Sequence, residues 1–460
     1  MGIGLNTLLA ILGYGCIPLA WWAHCKNRSG WSLAAIVLCA GLLRLSASLD
    51  PFLHPWDERY HALVAKHLAQ DPLTPMLYPN DPTLPAQGNW TTSHIWLHKP
   101  PVALWCMAAS INVFGAIPLA VRIPSILLSM FGAGLVLWLG TEFRSRLVGI
   151  FSGLLFSING HLIELASGRT STDHVDAIFI VFVLAAISTG WKLASSHSWR
   201  WAMLCGVLSG IAFLTKSLPA LLIVPVVCMM LHVRGAFLRE ARWPLAIAFL
   251  TSLLVALPWT IYVQQRFPVE LAAERAGLWS HIGQGVEEHG RPWHFYWAQL
   301  PMMHGELIVL VLLWALVQWW RDRDKVLLVL LTWMLVPMVA FSFAETKMPA
   351  YTAIAAPAWC IMIATATIAW YDQGAQRRWK GWALRIGAIS LIVLPLRFSL
   401  DRLRPWTTPI APYSIPASIT IPHPTPTPSL SAMIIPSSLC STRMRRLRIS
   451  TPWTMTSART

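Results

Sequence analysis

Apolar runs near the length of a bilayer crossing, about 17 to 25 residues, recur along this chain with short polar breaks between them. They fall near residues 3–22, 31–49, 119–140, 148–166, 177–194, 201–215, 218–233, 243–265, 300–319, 326–343, 350–370 and 382–397. The pattern predicts an all-α polytopic membrane protein with about twelve spanning helices. The runs around Leu204 and Leu221 are short, and Pro219 separates them. The pattern is interrupted at length after the second run, where residues 50–99 are polar. The apolar stretch from Pro100 to Phe114 that follows is too short to cross comfortably, and it starts on a Pro-Pro pair. It reads as a helix lying in the interface.

Composition agrees with the pattern. Of 460 residues, 55% are hydrophobic and 12% charged, whereas a soluble domain carries about 25% charged residues. The net charge of +15 does not point to nucleic acid, because the cations occupy alternate short loops. Lys26 and Arg28, Arg144 and Arg146, Lys192 and Arg200, Arg234 to Arg242, Arg321 to Lys325, and Arg377 to Lys380 form these clusters. Cytoplasmic loops carry such an excess. The opposite, outer face then receives the 50–99 loop, the segment from Gly168 to Asp176, Lys216, the loop from Arg266 to Gln299 and the turn from Glu345 to Pro349.

Negative features narrow the reading. The cysteines lie mostly in or beside apolar segments and have no zinc-finger spacing. No Walker or dinucleotide glycine motif occurs, so no nucleotide cofactor is expected. The first run lacks a basic leader and a clear cleavage site, and reads as a retained helix. Residues 1–400 are expected to form one membrane-embedded domain. From 401 to 460 the chain becomes basic and rich in Pro, Ser and Thr, and is expected to be disordered or translated out of frame.

The outer clusters carry the candidate chemistry. In Trp56-Asp57-Glu58-Arg59-Tyr60-His61, acids occupy a helix start, and Asp57 and His61 lie one turn apart. A carboxylate there can position or deprotonate an acceptor hydroxyl, or bind an amine; equally, Asp57 and Glu58 could only cap a surface helix and pair with Arg59 or Lys66. In His98-Lys99-Pro100-Pro101, Lys99 sits at the water boundary, suited to a lipid phosphate or to simple anchoring. Asp176 directly precedes an apolar run, where an acid is costly and faces a cavity or a partner; Arg169 is the partner at hand. Glu287-Glu288-His289-Gly290-Arg291 and Glu345-Thr346-Lys347-Met348-Pro349 complete the set.

In order and in common side, these motifs resemble the C-type membrane glycosyltransferases, in particular the lipid A aminoarabinose transferases and protein O-mannosyltransferases. The resemblance runs from about Trp31 to about Leu400 and also includes Arg122-Ile123-Pro124-Ser125 and Phe213-Leu214-Thr215-Lys216. It implies that fold, with juxtamembrane helices in the first outer loop, and transfer of a sugar from a polyprenyl phosphate to an envelope acceptor (lipid, glycan or protein) at the outer face of the inner membrane. Asp57, Glu58 and Asp176 are the implied catalytic acids. Lys99 is the implied donor-phosphate ligand, with Arg59, Lys216 and Lys347 as further candidates. Zinc in such enzymes is held by a Glu before the Lys and by a distal His; the corresponding positions here are His98 and His289. The family commonly has one residue between the Glu and Arg that are adjacent here as Glu58 and Arg59, and His98 replaces its Glu. Both departures point to a branch with a different substrate. A transporter or flippase of lipid-linked substrates is the alternative, since intramembrane acids also mark ion pathways.

Overall fold

The computed structural model of the 460-residue chain describes residues 4–55, 57–78, 90–235, 242–283, 285, 289–376 and 381–406. The helices in order are α1 (Leu5–Cys25), α2 (Ser29–Ala47), α3 (Asp57–Leu68), α4 (Pro101–Phe114), α5 (Pro118–Phe143), α6 (Arg146–Ile158), α7 (Gly160–Ala166), α8 (Asp173–Ser196) and α9 (Trp199–Lys216). There follow α10 (Ile223–Val233), α11 (Arg242–Arg266), α12 (Pro268–Gly283), α13 (Phe295–His304), α14 (Ile308–Asp322), α15 (Lys325–Ser342), α16 (Ala356–Gln376) and α17 (Gly381–Arg402). Among the described residues there is no β-strand, only the isolated bridges of Met76 with Ile95 and of Gly290 with Thr346.

Helix covers every one of the twelve apolar runs, but not every run is a plain crossing. Among the described residues eight helices are long and apolar enough to span a membrane, or ten if the bent pairs α6 with α7 (53°) and α13 with α14 (104°) each count once. The other two runs are α9 and the short stretch Leu218–Val233, so a count of twelve is not reached on length and composition. Helix α4, at 14 residues, extends roughly 21 Å, short of the ~30 Å hydrocarbon core. This is a multi-pass membrane protein.

Helix α8 and the Pro349–Gln376 stretch form the centre, with 89% and 83% of their apolar windows buried, whereas α1, α11 and α17 bury 22%, 11% and 22% and face outward. The helix starts follow local chemistry. Ser145 accepts from the Val148 amide, Asn159 from Leu162, and Asp324 from Val326 and Leu327, each satisfying amides that a helix start leaves open. Where α9 crosses α11, a Cβ on Gly206 would fall 1.9 Å from Thr251 Oγ1; only glycine permits that approach.

Helix α17 continues to Arg402, and residues through Trp406 lie against the polar loops. The remainder of the expected tail, 407–460, lies outside the described residues.

Candidate active site

Helix α3 begins with two acids in its first turn, where the N-terminal dipole favours them. They separate into different environments. Glu58, 1% exposed, meets Arg122 of α5 in a two-pronged pair: Nε donates to Oε1 at 2.7 Å and Nη2 to Oε2 at 3.0 Å. The His54 amide donates to Oε2 at 2.5 Å, and His174 Nε2 lies 3.0 Å from Oε1. Burial pushes the Glu58 carboxyl up, but Arg122 and His174 outweigh it and hold it at about 2. Arg122 spends its remaining donors on the carbonyls of Ser48, Asp50 and Phe52. The pair therefore fixes the α2–α3 loop. Both Glu58 oxygens are engaged, and its partner is Arg122, neither Arg59 nor Lys66.

Asp57 faces the start of α8. Its Oδ2 accepts the Thr172 amide, while the Thr172 hydroxyl bonds Asp176 Oδ2. Thr172 and Asp173 hold φ of +67° and +29°, a conformation that non-glycine residues rarely adopt. Asp176 also receives Lys216 Nζ, whose ammonium lies 4.8 Å from the Tyr351 ring centre. Burial pushes the Asp57 carboxyl up; Lys99 leads a larger opposing pull, joined by His61 and the Thr172 amide, and the carboxyl ends below its ordinary range. Two acids and two lysines thus converge at the starts of α3 and α8, the end of α9 and the residue before the Pro-Pro of α4. His61, one turn along from Asp57, pairs with Asp173 at 2.9 Å, both fully buried.

Other expected site residues go elsewhere. Asp176 does not pair with Arg169, which bonds Asp50. Arg59 donates to Tyr60 Oη at 3.2 Å and sits over its ring. Lys347 is 3% exposed and donates to the carbonyls of Arg291, at 2.9 Å, and Ala344, beside the Gly290–Thr346 bridge. Glu287 and Glu288 lie outside the described residues, as does Trp56.

The two expected metal residues, His98 and His289, each make other contacts. His98 Nδ1 lies 2.8 Å from Glu274 Oε1 of α12, and its ring stacks on Trp90 at 4.9 Å. The backbone carbonyl of His289 accepts from the Lys347 amide. Among the described residues no three His, Cys, Asp or Glu side chains converge to hold an ion, and a zinc site needs three or four. The described donor set does not fit zinc. Burial, helped by Lys99, pushes the His98 imidazole down, with Glu274 opposing. Sequence reasoning missed Glu274 and Thr172; a pairing 176 residues apart leaves no local signal, and Thr172 reads as an ordinary cap position.

An apolar cleft of about 470 Å³ opens between α4, α9 and α11, lined by Val102, Trp105, Leu214, Trp259 and Tyr262 among others. Lys99 closely precedes Val102 in the chain, and Lys216 closely follows Leu214.

The fold is that of the C-type membrane glycosyltransferases. It superposes on ArnT from Cupriavidus metallidurans bound to undecaprenyl phosphate with a TM-score of 0.59 at 16% identity, covering 82% of this chain and 76% of that one. It also matches the apo archaeal oligosaccharyltransferase of Archaeoglobus fulgidus, with a TM-score of 0.52 at 11% identity over 81% of this chain and 56% of the other. In sequence, residues 98–262 match the family model of dolichyl-phosphate-mannose-protein mannosyltransferase. The undecaprenyl phosphate-alpha-4-amino-4-deoxy-L-arabinose arabinosyl transferase of Pseudomonas aeruginosa is 30% identical over 285 residues, 57% of this chain and 49% of that protein. Its namesake from Edwardsiella ictaluri is 28% identical over 333 residues, 67% and 56% of the two chains. The chain spans about half the length of the curated relatives it matches. The resemblance read from the motifs is thereby borne out.

Proposed function

We propose that this chain is an inner-membrane glycosyltransferase that moves a sugar from a polyprenyl phosphate to an envelope acceptor at the outer face. The observation that carries the reading is the Thr172 junction: one residue bonds both Asp57 and Asp176, with Lys216 on the second acid and Lys99 acting on the first. The apolar cleft suits a polyprenyl tail, and the alternate basic loops support an outward site. The relatives described above are transferases, which favours this reading over transport. No nucleotide is needed at the site, because the lipid phosphate is already a leaving group.

In the reaction, the acceptor's nucleophile attacks the anomeric carbon while the bond to the phosphate oxygen breaks. Lys99 and Lys216 stabilise the charge growing on the departing polyprenyl phosphate, and a single displacement inverts the anomeric centre. Asp57 is ionised and a weak base, since an effective general base is tuned towards the working pH. That favours Asp57 holding the acceptor hydroxyl in line by accepting its hydrogen bond, with the proton passing to the departing phosphate monoester as the bond to the anomeric carbon breaks. Asp176 keeps Lys216 in place.

Thermal stabilisation by undecaprenyl phosphate tests donor binding. A ligand at about 100 times its Kd stabilises by roughly 2.7 kcal/mol, so a clear rise in Tm is expected for the wild type. Lys99→Ala and the cleft-filling Val102→Trp are expected to lose most of it. An equal rise in all three proteins would remove the donor site from this cleft.

A further inference from the structure

Where α17 ends, the chain is fastened to the two loops that hold the acids. Arg169 Nε donates to Asp50 Oδ2 at 2.9 Å, and Nη2 lies 2.8 Å from the same oxygen. Nη1 donates to the carbonyls of Arg402, at 2.6 Å, and Arg404, at 3.1 Å. The Trp406 amide donates to the other Asp50 oxygen at 3.2 Å. The Trp406 ring centre is 5.3 Å from the Arg169 guanidinium and meets His54 edge-on at 4.9 Å. His54 Nε2 in turn lies 3.3 Å from Asp50. Asp50, His54 and Arg169 are all buried.

A buried ion pair is weak as a source of net stability, because desolvation offsets the attraction. What it does supply is a fixed geometry. Arg169 stands just before the Thr172 turn, whose positive φ values are costly and persist only where surrounding contacts over-determine them. Asp50 stands at the start of the loop that leads into Asp57, and Arg122 binds its carbonyl. Both halves of the acid pair are thus tied to one clamp, and residues 402–406 close it.

We propose that residues 402–406 are a positioning strap: by holding Arg169 against Asp50, they set the Thr172 turn that bonds Asp57 and Asp176. Asp50, Arg169 and Trp406 are positioning residues, acting through Thr172 without touching substrate. The kinetic consequence rests on the transferase reading; the mechanical one does not.

The test uses the full chain in detergent, as wild type, Trp406→Ala, Asp50→Asn and the conservative Trp406→Phe. Hydrogen exchange in peptides covering residues 168–176 is expected to rise on the order of tenfold in the first two variants, with the central helices unchanged. In a transfer assay from a radiolabelled polyprenyl-phosphate sugar pool, kcat is expected to fall by up to about 100-fold, the scale of a 1 Å misplacement. KM for the donor stays unchanged, and Trp406→Phe restores both readouts. Exchange unchanged at 168–176, or raised equally throughout the protein, would overturn the strap. If exchange responds as expected while the wild type transfers no sugar, the strap stands and the transferase reading falls.

Discussion

Two neighbouring carboxylates, Asp57 and Glu58, have been given different work by their surroundings. Glu58 is held at about 2, against an ordinary 4.5, by Arg122 and His174. Since the folded value lies below the unfolded one, the stability this group contributes is complete above about 4.5 and is lost as pH falls towards about 2. Melting temperatures measured across that window are expected to drop steeply in the wild type and less in Glu58→Gln. At neutral pH the same substitution removes one partner of a buried pair and is expected to cost about 3–5 kcal/mol. Asp57 is also held low, so transfer should lose nothing to its protonation until the pH passes below the ordinary Asp value of about 3.9. A pH–rate profile with an acid limb well above that would contradict its assignment as an ionised acceptor ligand. The residue types of this site were legible in the sequence, because acids and lysines at membrane edges are costly and therefore conspicuous. Their partners were not. Arg122 for Glu58, Lys216 for Asp176 and Glu274 for His98 join positions 64, 40 and 176 residues apart, and no local pattern records such a match.

At the scale of elements, the site is a meeting of ends: the starts of α3 and α8, the end of α9 and the lead-in to α4. The α7–α8 turn is its most demanding piece. Gly168 sits at φ +76°, and a Cβ there would fall 2.4 Å from Glu58 Oε1. Gly168→Ala is expected to destabilise the protein by about 1–3 kcal/mol through strain at that backbone position, read by thermal melting, and to reduce transfer by displacing Thr172. A variant that melts and transfers like the wild type would show that the turn is not held as described. The sequence indicated where helices lie, since every apolar run is helical, but not where they break. Arg44 fills the break between α6 and α7, donating to the carbonyls of Phe156 and Ser157. That compensation lies more than a hundred residues away along the chain.

Across the whole molecule, the two ends of the bundle are built differently. One gathers the buried acids and lysines; at the far end of α5, Arg144 pairs with Asp324 at 2.7 Å in a partly exposed bridge. Such a bridge contributes up to about 1 kcal/mol, so Arg144→Ala is expected to leave transfer intact and to shift melting only slightly. We propose that sugar transfer depends on the buried acid Asp57 and on Lys99. This is tested most directly by following label from a radiolabelled polyprenyl-phosphate sugar pool into envelope material, with wild type, Asp57→Asn and Lys99→Ala at matched expression. Transfer by the wild type and its loss in both variants are expected. Transfer that continues undiminished in either variant would contradict it.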